Sequence, residues 1–329
     1  MRDDSVTWQK ILAQGFSSGN ALLKFLSLPQ ELANKGAELQ FKTRVPRGFA
    51  ARMQKGNPHD PLLLQALALP QELEKVAHFI NDPLEELNAN PVEGLMHKYH
   101  GRVLLTFTGA CAINCRYCFR RHFPYAKNNP GRKGWGAVLR YIEADTSIHE
   151  VILSGGDPLL ATDKALGDFI VQLEAISHVH TLRFHTRIPI VLPERIDNAF
   201  LAMLSATRFQ KVMVLHCNHP QELDESVKQV CSKLRATGCH LLNQTVLLKG
   251  INDTADTLAA LSQRLFAFGV LPYYLHVLDK VAGAAHFDLP SMKALQLHQQ
   301  LQSLLPGYLV PRLVREEAGK AHKTWLSAE

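Results

Sequence analysis

Three cysteines lie within eight residues of one another and are the strongest chemical signal in the chain. Cys111, Cys115 and Cys118 have Cys-x3-Cys-x2-Cys spacing, and the aromatic Tyr117 precedes the last thiol. Cysteine thiolates are the usual protein ligands of iron–sulfur clusters. Three thiolates hold three irons of a cubane and leave the fourth iron open. The spacing therefore predicts a 4Fe–4S cluster whose open iron can chelate a small molecule.

A zinc site is the alternative interpretation of the same cysteines. Structural zinc takes four closed ligands, usually in two pairs, and His122 is a candidate for the fourth. The spacing, however, is not that of a zinc finger. On this interpretation the chain is a zinc-stabilised basic binding module recruited to ribosomes, which predicts zinc and no iron–sulfur colour.

Six apolar, β-branched runs alternate with longer amphipathic segments from about residue 101 onwards. The runs are Val103–Thr108, Val151–Ser154, Thr181–His185, Val212–His216, Leu241–Leu248 and Tyr273–Leu278. Strands that alternate with helices over short links predict right-handed βαβ units and a parallel sheet, either doubly wound or an incomplete barrel. In both folds the active groups gather at the carboxyl ends of the strands. Residues 1–95 are predicted to form a separate helical and loop-rich region, and residues 96–329 the core.

Helix boundaries are predicted from local signals. Leu-Pro-Gln-Glu-Leu occurs at residues 28–32 and again at 69–73, and each copy predicts a helix start. Thr162-Asp163 is expected to cap a helix and Pro193-Glu194 to open one. Asn252-Asp253 is expected to cap the helix that runs to Phe268.

The cysteine pattern, Cys-x3-Cys-x-aromatic-Cys, resembles the signature of the radical S-adenosylmethionine (SAM) enzymes. The resemblance implies that the open iron binds SAM and that the reduced cluster cleaves it to a 5′-deoxyadenosyl radical. It also implies a partial (β/α)6 barrel, here with the N-terminal helical region added. Ser154, Gly155, Gly156 and Asp157 resemble the family's SAM-binding glycine motif. The alternative for this Gly-Gly pair is a tight strand-to-helix turn.

A closer resemblance covers residues 102–323. Ser-Gly-Gly-Asp-Pro-Leu, Leu-Asn-Gln-Thr-Val-Leu-Leu and Tyr-Tyr-Leu-His-Val-Leu-Asp occur in the order found in lysine 2,3-aminomutases. The chain is most similar to the short form that acts in elongation factor P modification. The group uses pyridoxal phosphate (PLP), which implies a C-terminal PLP-lysine segment. Lys323, followed by threonine, matches the PLP lysine, and Lys320 is its rival. Arg102 and Gln244 match residues near PLP.

The resemblance also implies the substrate and the residues that bind it. L-Lysine presents a carboxylate, which calls for an arginine, and a distant ammonium, which calls for acids. Arg120 matches the carboxylate ligand, and Asp279 and Glu316 match the two acids. The activity implied is transfer of the amino group of lysine from carbon 2 to carbon 3, which is an isomerisation. Arginine and glutamate remain alternative substrates.

Charge and composition limit the partners. The formal net charge of +6 is spread along the chain without a basic run, so we expect no direct nucleic-acid binding. No run of 18 uncharged apolar residues is present, and the N-terminus lacks a secretory signal, so a cytoplasmic protein without membrane contact is expected. The resemblance implies an electron donor protein, a ligase that uses β-lysine, and elongation factor P as partners.

Overall fold

The computed structural model describes residues 7–327. Within them, nine strands form one sheet in which each strand is hydrogen-bonded to the next one along the chain. The strands are β1 (Leu95–Tyr99), β2 (Arg102–Thr108), β3 (Glu150–Gly155), β4 (Thr181–Thr186), β5 (Gln210–His216), β6 (His240–Val246), β7 (Leu271–His276), β8 (Arg312–Arg315) and β9 (Thr324–Trp325).

Strands β2 to β8 are parallel, and β1 and β9 are antiparallel additions at the two outer edges. The chain never reverses the order in which it adds strands, as a doubly wound sheet would require. In the described residues β1 and β9 do not pair, so the sheet is an incomplete barrel. The six predicted strands are confirmed. β8 is a seventh parallel strand, which the sequence analysis missed because it has only four residues and an arginine at each end.

Twelve helices accompany the sheet in the described part of the chain. Five short ones precede it, and the others lie between or after its strands. They are α1 (Trp8–Ala13), α2 (Gly19–Phe25), α3 (Lys35–Gln40), α4 (Arg47–Ala50), α5 (Pro61–Leu64), α6 (Gly131–Ala144), α7 (Asp163–Glu174), α8 (Ile188–Val191), α9 (Asn198–Ala206), α10 (Glu225–Ala236), α11 (Ala255–Ala267) and α12 (Ser291–Leu304).

Some helix boundaries differ from the expected ones. Thr162 caps α7 as predicted. Thr254, not Asn252, caps α11 by accepting from the backbone N–H of Thr257. The buried amide of Asn252 instead bonds backbone groups of the preceding loop and of Asn218, which removes it from the cap position. Pro193 opens only a single 3-10 turn.

Both Leu-Pro-Gln-Glu-Leu copies also form single 3-10 turns, at Gln30–Leu32 and Pro70–Leu73, and not longer helices. A third such turn, Pro220–Glu222, follows β5 and carries the related sequence His-Pro-Gln-Glu-Leu. In the second and third turns the glutamate side chain accepts the backbone N–H of the residue before the proline. This capping box fixes the glutamate inside its own turn.

Side chains of the parallel strands alternate between a central cavity and the hydrophobic core. On β4, Arg183 and His185 face the cavity, whereas Leu182 and Phe184 are fully buried in the core. This is the period-two pattern of a strand with one polar and one apolar face. It brings charged groups from many strands to one interior space.

The region before β1 shares its core with the barrel. Leu22, Phe49 and Leu62 belong to the same hydrophobic cluster as Leu105 and Leu153 of the strands. The guanidinium of Arg195 lies 4.9 Å from the Trp8 ring. In the described residues no helix is long and apolar enough to cross a membrane.

Candidate active site

One cavity of about 1160 Å³ lies inside the barrel and extends to the carboxyl ends of the parallel strands. All the residues predicted to bind a cluster, SAM, PLP or substrate line it. They are Arg102, Cys111, Cys115, Cys118, Arg120, Ser154, Gly155, Gly156, Asp157, Gln244, Asp279, Glu316 and Lys323. The structure thus brings together residues that are more than 200 positions apart, although their individual roles remain predictions.

The cysteine loop follows β2 and is held by the N-terminal region. Arg44 donates to the carbonyl of Cys111 at 2.9 Å, and Asn114 N–H donates to the carbonyl of Arg44 at 3.1 Å. The amide of Asn114 also donates to the carbonyl of Lys42 at 2.8 Å, and Arg116 N–H to that of Gln65 at 2.9 Å. Residues before β1 therefore help to set the shape of the loop.

The three thiols suit a cluster better than a single ion. Burial raises the pKa of Cys118 to about 12 and that of Cys111 well above its usual value, so metal binding must displace these protons. In residues 7–327 no three Cys, His, Asp or Glu side chains converge on a point where one metal ion would sit. A cubane needs no such point, because each thiolate binds a different iron. His122 lies outside the cavity lining, and its Nε2 is 3.1 Å from the carbonyl of Ala282.

The Gly-Gly pair lets the end of β3 pack directly on the start of the cysteine loop. Gly155 has a φ of +115°, and a Cβ there would lie 2.3 Å from the carbonyl oxygen of Thr108. A Cβ on Gly156 would lie 2.3 Å from the carbonyl oxygen of Ala110. Side chains are thus excluded at both positions, as the turn interpretation requires. The same bare backbone faces the cavity, which a SAM-binding role requires.

Asp157 joins the ends of β3 and β4. Its carboxylate accepts from Thr186 Oγ1 at 2.7 Å, from Arg187 N–H at 2.8 Å and from Leu159 N–H at 3.1 Å. Burial nevertheless raises the pKa of Asp157 to about 6. Both carboxylate oxygens are engaged within the protein, so the structure gives this aspartate a positioning contact to Arg187.

Glu86 is a site residue that the sequence analysis missed. Both of its carboxylate oxygens accept from Arg120, at 2.6 Å from Nε and 2.8 Å from Nη2. Arg120 Nη1 donates to Ser154 Oγ at 3.1 Å. Burial opposes ionisation of Glu86, but Arg120 and Lys98 outweigh it and lower the pKa of the carboxyl. The guanidinium of Arg120 is therefore already paired with a carboxylate of the protein itself.

A second missed residue, Lys98 of β1, links this pair to the C-terminal segment. Its Nζ lies 3.3 Å from Glu86 Oε1 and 3.2 Å from Glu316 Oε1. Lys323 also pairs with Glu316. Burial opposes ionisation of Glu316, but the two lysines outweigh it and lower its pKa to about 2. Lys320 is exposed and outside the cavity lining, so of the two candidate PLP lysines only Lys323 has access to the site.

Asp279 differs from Glu316 because its carboxylate has no hydrogen bond or ion pair to any described residue. Burial first and the nearby Glu316 second raise its pKa to about 7. Lys323 and Lys98 lower this pKa only in part, so the Asp279 carboxylate stays costly to ionise and gains from a further cation. The cavity therefore offers Asp279 to a cationic ligand, whereas Glu316 already has two lysines.

Arg102 is a cation that the described residues leave without an ion pair; its guanidinium lies 4.8 Å from the Tyr99 ring. Gln244 Nε2 lies 3.1 Å from His216 Nε2. Burial lowers the pKa of His216 and His276, two of the histidines that line the cavity, to about 3, so these two are neutral. An arginine without an ion pair in the same cavity as the Lys323 amine suits PLP, whose phosphate needs a cation and whose aldehyde needs an amine.

Comparison with known proteins agrees with the geometry. Residues 105–261 match the family described as the radical SAM superfamily. The chain is 50% identical over 319 residues to L-lysine 2,3-aminomutase of Haemophilus influenzae, covering 96% of this chain and 94% of that protein. It is 48% identical to the protein of that name from Escherichia coli K12, covering 98% and 95%. For that of Buchnera aphidicola the identity is 42%, covering 97% and 95%. The chain belongs to the L-lysine 2,3-aminomutase family of radical SAM proteins.

Proposed function

We propose that this protein is a radical SAM, PLP-dependent isomerase that converts L-lysine to β-lysine. The observation that carries the proposal is the shared cavity. It places the three cysteines, the Lys323 amine and the uncompensated Asp279 carboxylate around one interior space. No simpler PLP chemistry needs the cysteines, and no zinc-stabilised module needs the lysine and the acid.

The residues divide between the two cofactors. Cys111, Cys115 and Cys118 would hold the cluster, with its open iron for SAM, and Lys323 and Arg102 would hold PLP. The cluster and SAM supply a radical that removes a hydrogen atom, and PLP supplies a conjugated system that spreads an unpaired electron. Gly155 and Gly156 bring bare backbone to the cavity wall beside the cysteine loop, where SAM would bind.

The protein's own groups bind and orient the substrate. Asp279 would bind the side-chain ammonium of lysine, and Arg120, steadied by Glu86, would bind the carboxylate. Fixing both ends of a flexible chain holds its middle carbons in one place, which is the main way a protein speeds such a step. The buried walls exclude water and other groups that would quench a radical.

Asp279 also bears on the alternative substrates. Glutamate would bring a second carboxylate against it, and like charges in a buried site repel strongly. Arginine carries the right charge, but the relatives named L-lysine 2,3-aminomutase favour lysine over it. Lysine is therefore the substrate that the site supports best.

The test is an anaerobic preparation assayed for iron, sulfide and PLP, then incubated with SAM, a reductant and one amino acid at a time. We expect β-lysine from lysine and no β-amino acid from arginine or glutamate, read by mass spectrometry. A preparation that holds zinc but no iron–sulfur cluster would reject the proposal. If the cluster-loaded protein acts on arginine, the assignment of lysine as the substrate is rejected.

We further propose that the β-lysine is passed to a ligase that attaches it to elongation factor P, and that a separate electron donor protein reduces the cluster. The support is the resemblance of the motifs to the short form of the family. Incubating the loaded enzyme with lysine, ligase and elongation factor P should increase the mass of elongation factor P. An unchanged mass, with β-lysine present, would contradict this partnership.

A further inference from the structure

Arg187 lies at the end of β4 and is in contact with the cysteine loop. Its Nη1 donates to Cys115 Sγ at 2.8 Å. In the described residues no charged side chain donates to the sulfur of Cys111 or Cys118. The three thiols are therefore not equivalent: one carries a cationic donor and two do not.

The guanidinium of Arg187 is contacted by residues from four parts of the fold. Nη2 donates to Gln65 Oε1 at 2.7 Å and to Glu222 Oε2 at 2.9 Å. The Phe49 and Tyr117 rings lie 5.3 and 5.7 Å from its central carbon. Its exposed fraction is only 5%. A side chain fixed on so many sides keeps its donor on Cys115 with little freedom to turn away.

Glu222 is itself fixed by the third Pro-Gln-Glu turn. Its Oε1 accepts the N–H groups of Asn218 at 3.0 Å and His219 at 3.1 Å, together with the Gln65 amide at 3.1 Å. The other oxygen is left for Arg187. The Glu222 carboxylate is fully buried, and it cannot move away from Arg187 without breaking the hydrogen bonds that close its own turn.

We propose that Arg187 is a tuning residue for the iron–sulfur cluster: by donating to Cys115 Sγ it raises the reduction potential of a cluster bound there. Hydrogen bonds to ligand sulfurs are one of the features by which proteins set cluster potentials. The reduced cluster carries one more negative charge than the oxidised one, so a fixed cation stabilises the reduced form. In a buried site this effect is little screened by water. The inference rests on the proposed function, which supplies the cluster.

The test is an anaerobic redox titration of the reconstituted full-length protein, without SAM, with the reduced cluster followed by electron paramagnetic resonance. Arg187→Lys keeps the positive charge but lacks the planar guanidinium with its paired N–H donors. The double variant Arg187→Met/Glu222→Gln removes donor and charge without leaving a buried carboxylate unpaired, and Glu222→Gln alone is its reference. Arg195→Lys is the matched control, because Arg195 is equally buried, paired with Asp163 and absent from the cavity lining.

We expect the reduced-to-oxidised ratio at a fixed potential to fall about tenfold in the double variant relative to Glu222→Gln, the scale of one charge-assisted hydrogen bond. For a one-electron couple this is a shift of about 59 mV. Arg187→Lys should shift in the same direction by less, and Arg195→Lys should not shift.

Unchanged potentials in both Arg187 variants would overturn the inference while leaving the proposed function intact. Loss of the cluster from both, with iron retained in Glu222→Gln, would also overturn it, since Arg187 would then hold the loop and not tune the cluster. Absence of any cluster from the unmodified protein would instead overturn the proposed function.

Discussion

At the scale of single residues, Lys323 is the group whose role can be separated most cleanly from that of the cysteines. Lys323→Ala removes the amine in the cavity, so we expect turnover to fall by roughly a thousandfold or more. The iron–sulfur absorption should be unchanged, because Cys111, Cys115 and Cys118 are untouched. Lys320→Ala is the control, since its side chain is exposed, and it should keep full activity.

The comparison is made by measuring β-lysine and visible absorption on the same anaerobic samples. Retained turnover in Lys323→Ala would reject the assignment of the PLP lysine. Loss of both turnover and absorption would mean that Lys323 and its partner Glu316 are needed for the fold.

Asp279 predicts a pH dependence. Its pKa is about 7, raised by burial and by Glu316, so the carboxyl is largely protonated below that pH. Only the ionised form attracts an ammonium group, so lysine binding should strengthen as the pH rises through 7. Asp279→Asn should weaken lysine binding roughly ten- to a hundredfold and abolish this dependence.

The measurement is the KM for lysine between pH 6 and 8, within the range where pKa shifts of this kind act. Asp288→Asn is the control. Burial also raises the pKa of Asp288, but this residue is outside the cavity lining. A KM that keeps its pH dependence in Asp279→Asn would place the titrating group elsewhere.

Single-residue roles could be predicted only where a motif carried them. The cysteines, Lys323 and Asp279 stand in recognisable patterns, and all of them line the cavity. Glu86 and Lys98 stand in no pattern. They enter the site because an ion pair joins residues 34 positions apart, Glu86 and Arg120, and another joins residues 218 positions apart, Lys98 and Glu316. Such ion pairs form only in the folded chain and correspond to no pattern in the local sequence.

At the scale of elements, two of the three Pro-Gln-Glu turns hold buried arginines through their glutamates, Glu72 and Glu222. Glu72 accepts from Arg116 Nε at 2.8 Å and from Arg121 Nη2 at 2.7 Å, and both arginines flank Cys118. Glu72→Gln removes the carboxylate charge that neutralises the two buried arginines, Arg116 and Arg121. We expect the free energy of unfolding to fall by about 3 kcal/mol or more.

Glu31→Gln is the matched control, since Glu31 has the same place in the first turn but is exposed. It should change the free energy of unfolding by less than about 0.5 kcal/mol. Chemical denaturation followed by circular dichroism compares the two variants. Equal effects would mean that the turn sequence matters and the buried ion pairs do not.

The alternation of strands and helices could be predicted from sequence, because short β-branched runs of strand length alternate with longer amphipathic segments. The six runs all became strands. The exact helix starts could not be predicted, because Thr254 and Asn252 are equally good capping residues and tertiary contacts decide between them. The Pro-Gln-Glu segments were equally difficult to predict in full. Their sequence indicates a first helical turn, but it does not indicate whether a second helical turn follows.

At the scale of the whole molecule, residues 7–95 and the barrel should unfold together. They share a hydrophobic cluster, and Glu72 and Glu86 pair with arginines of the cysteine loop. We expect a single calorimetric transition whose van't Hoff and calorimetric enthalpies agree. Two separate transitions would instead show that the N-terminal helical region predicted from the sequence folds as an independent domain.

The wall of the barrel is incomplete between β1 and the last strands, and there the Lys98–Glu316 pair bridges the gap at 3.2 Å. A ladder of backbone hydrogen bonds opens only when many bonds break at once, whereas here β1 contacts the Glu316 carboxylate through the side chains of Lys98 and Tyr99. Because the side chains of Lys98 and Glu316 are partly exposed, dissolved ions compete for them. Uptake of PLP by the apoprotein should therefore quicken as ionic strength rises, so that the ease of loading this enzyme is set by the electrolyte around it.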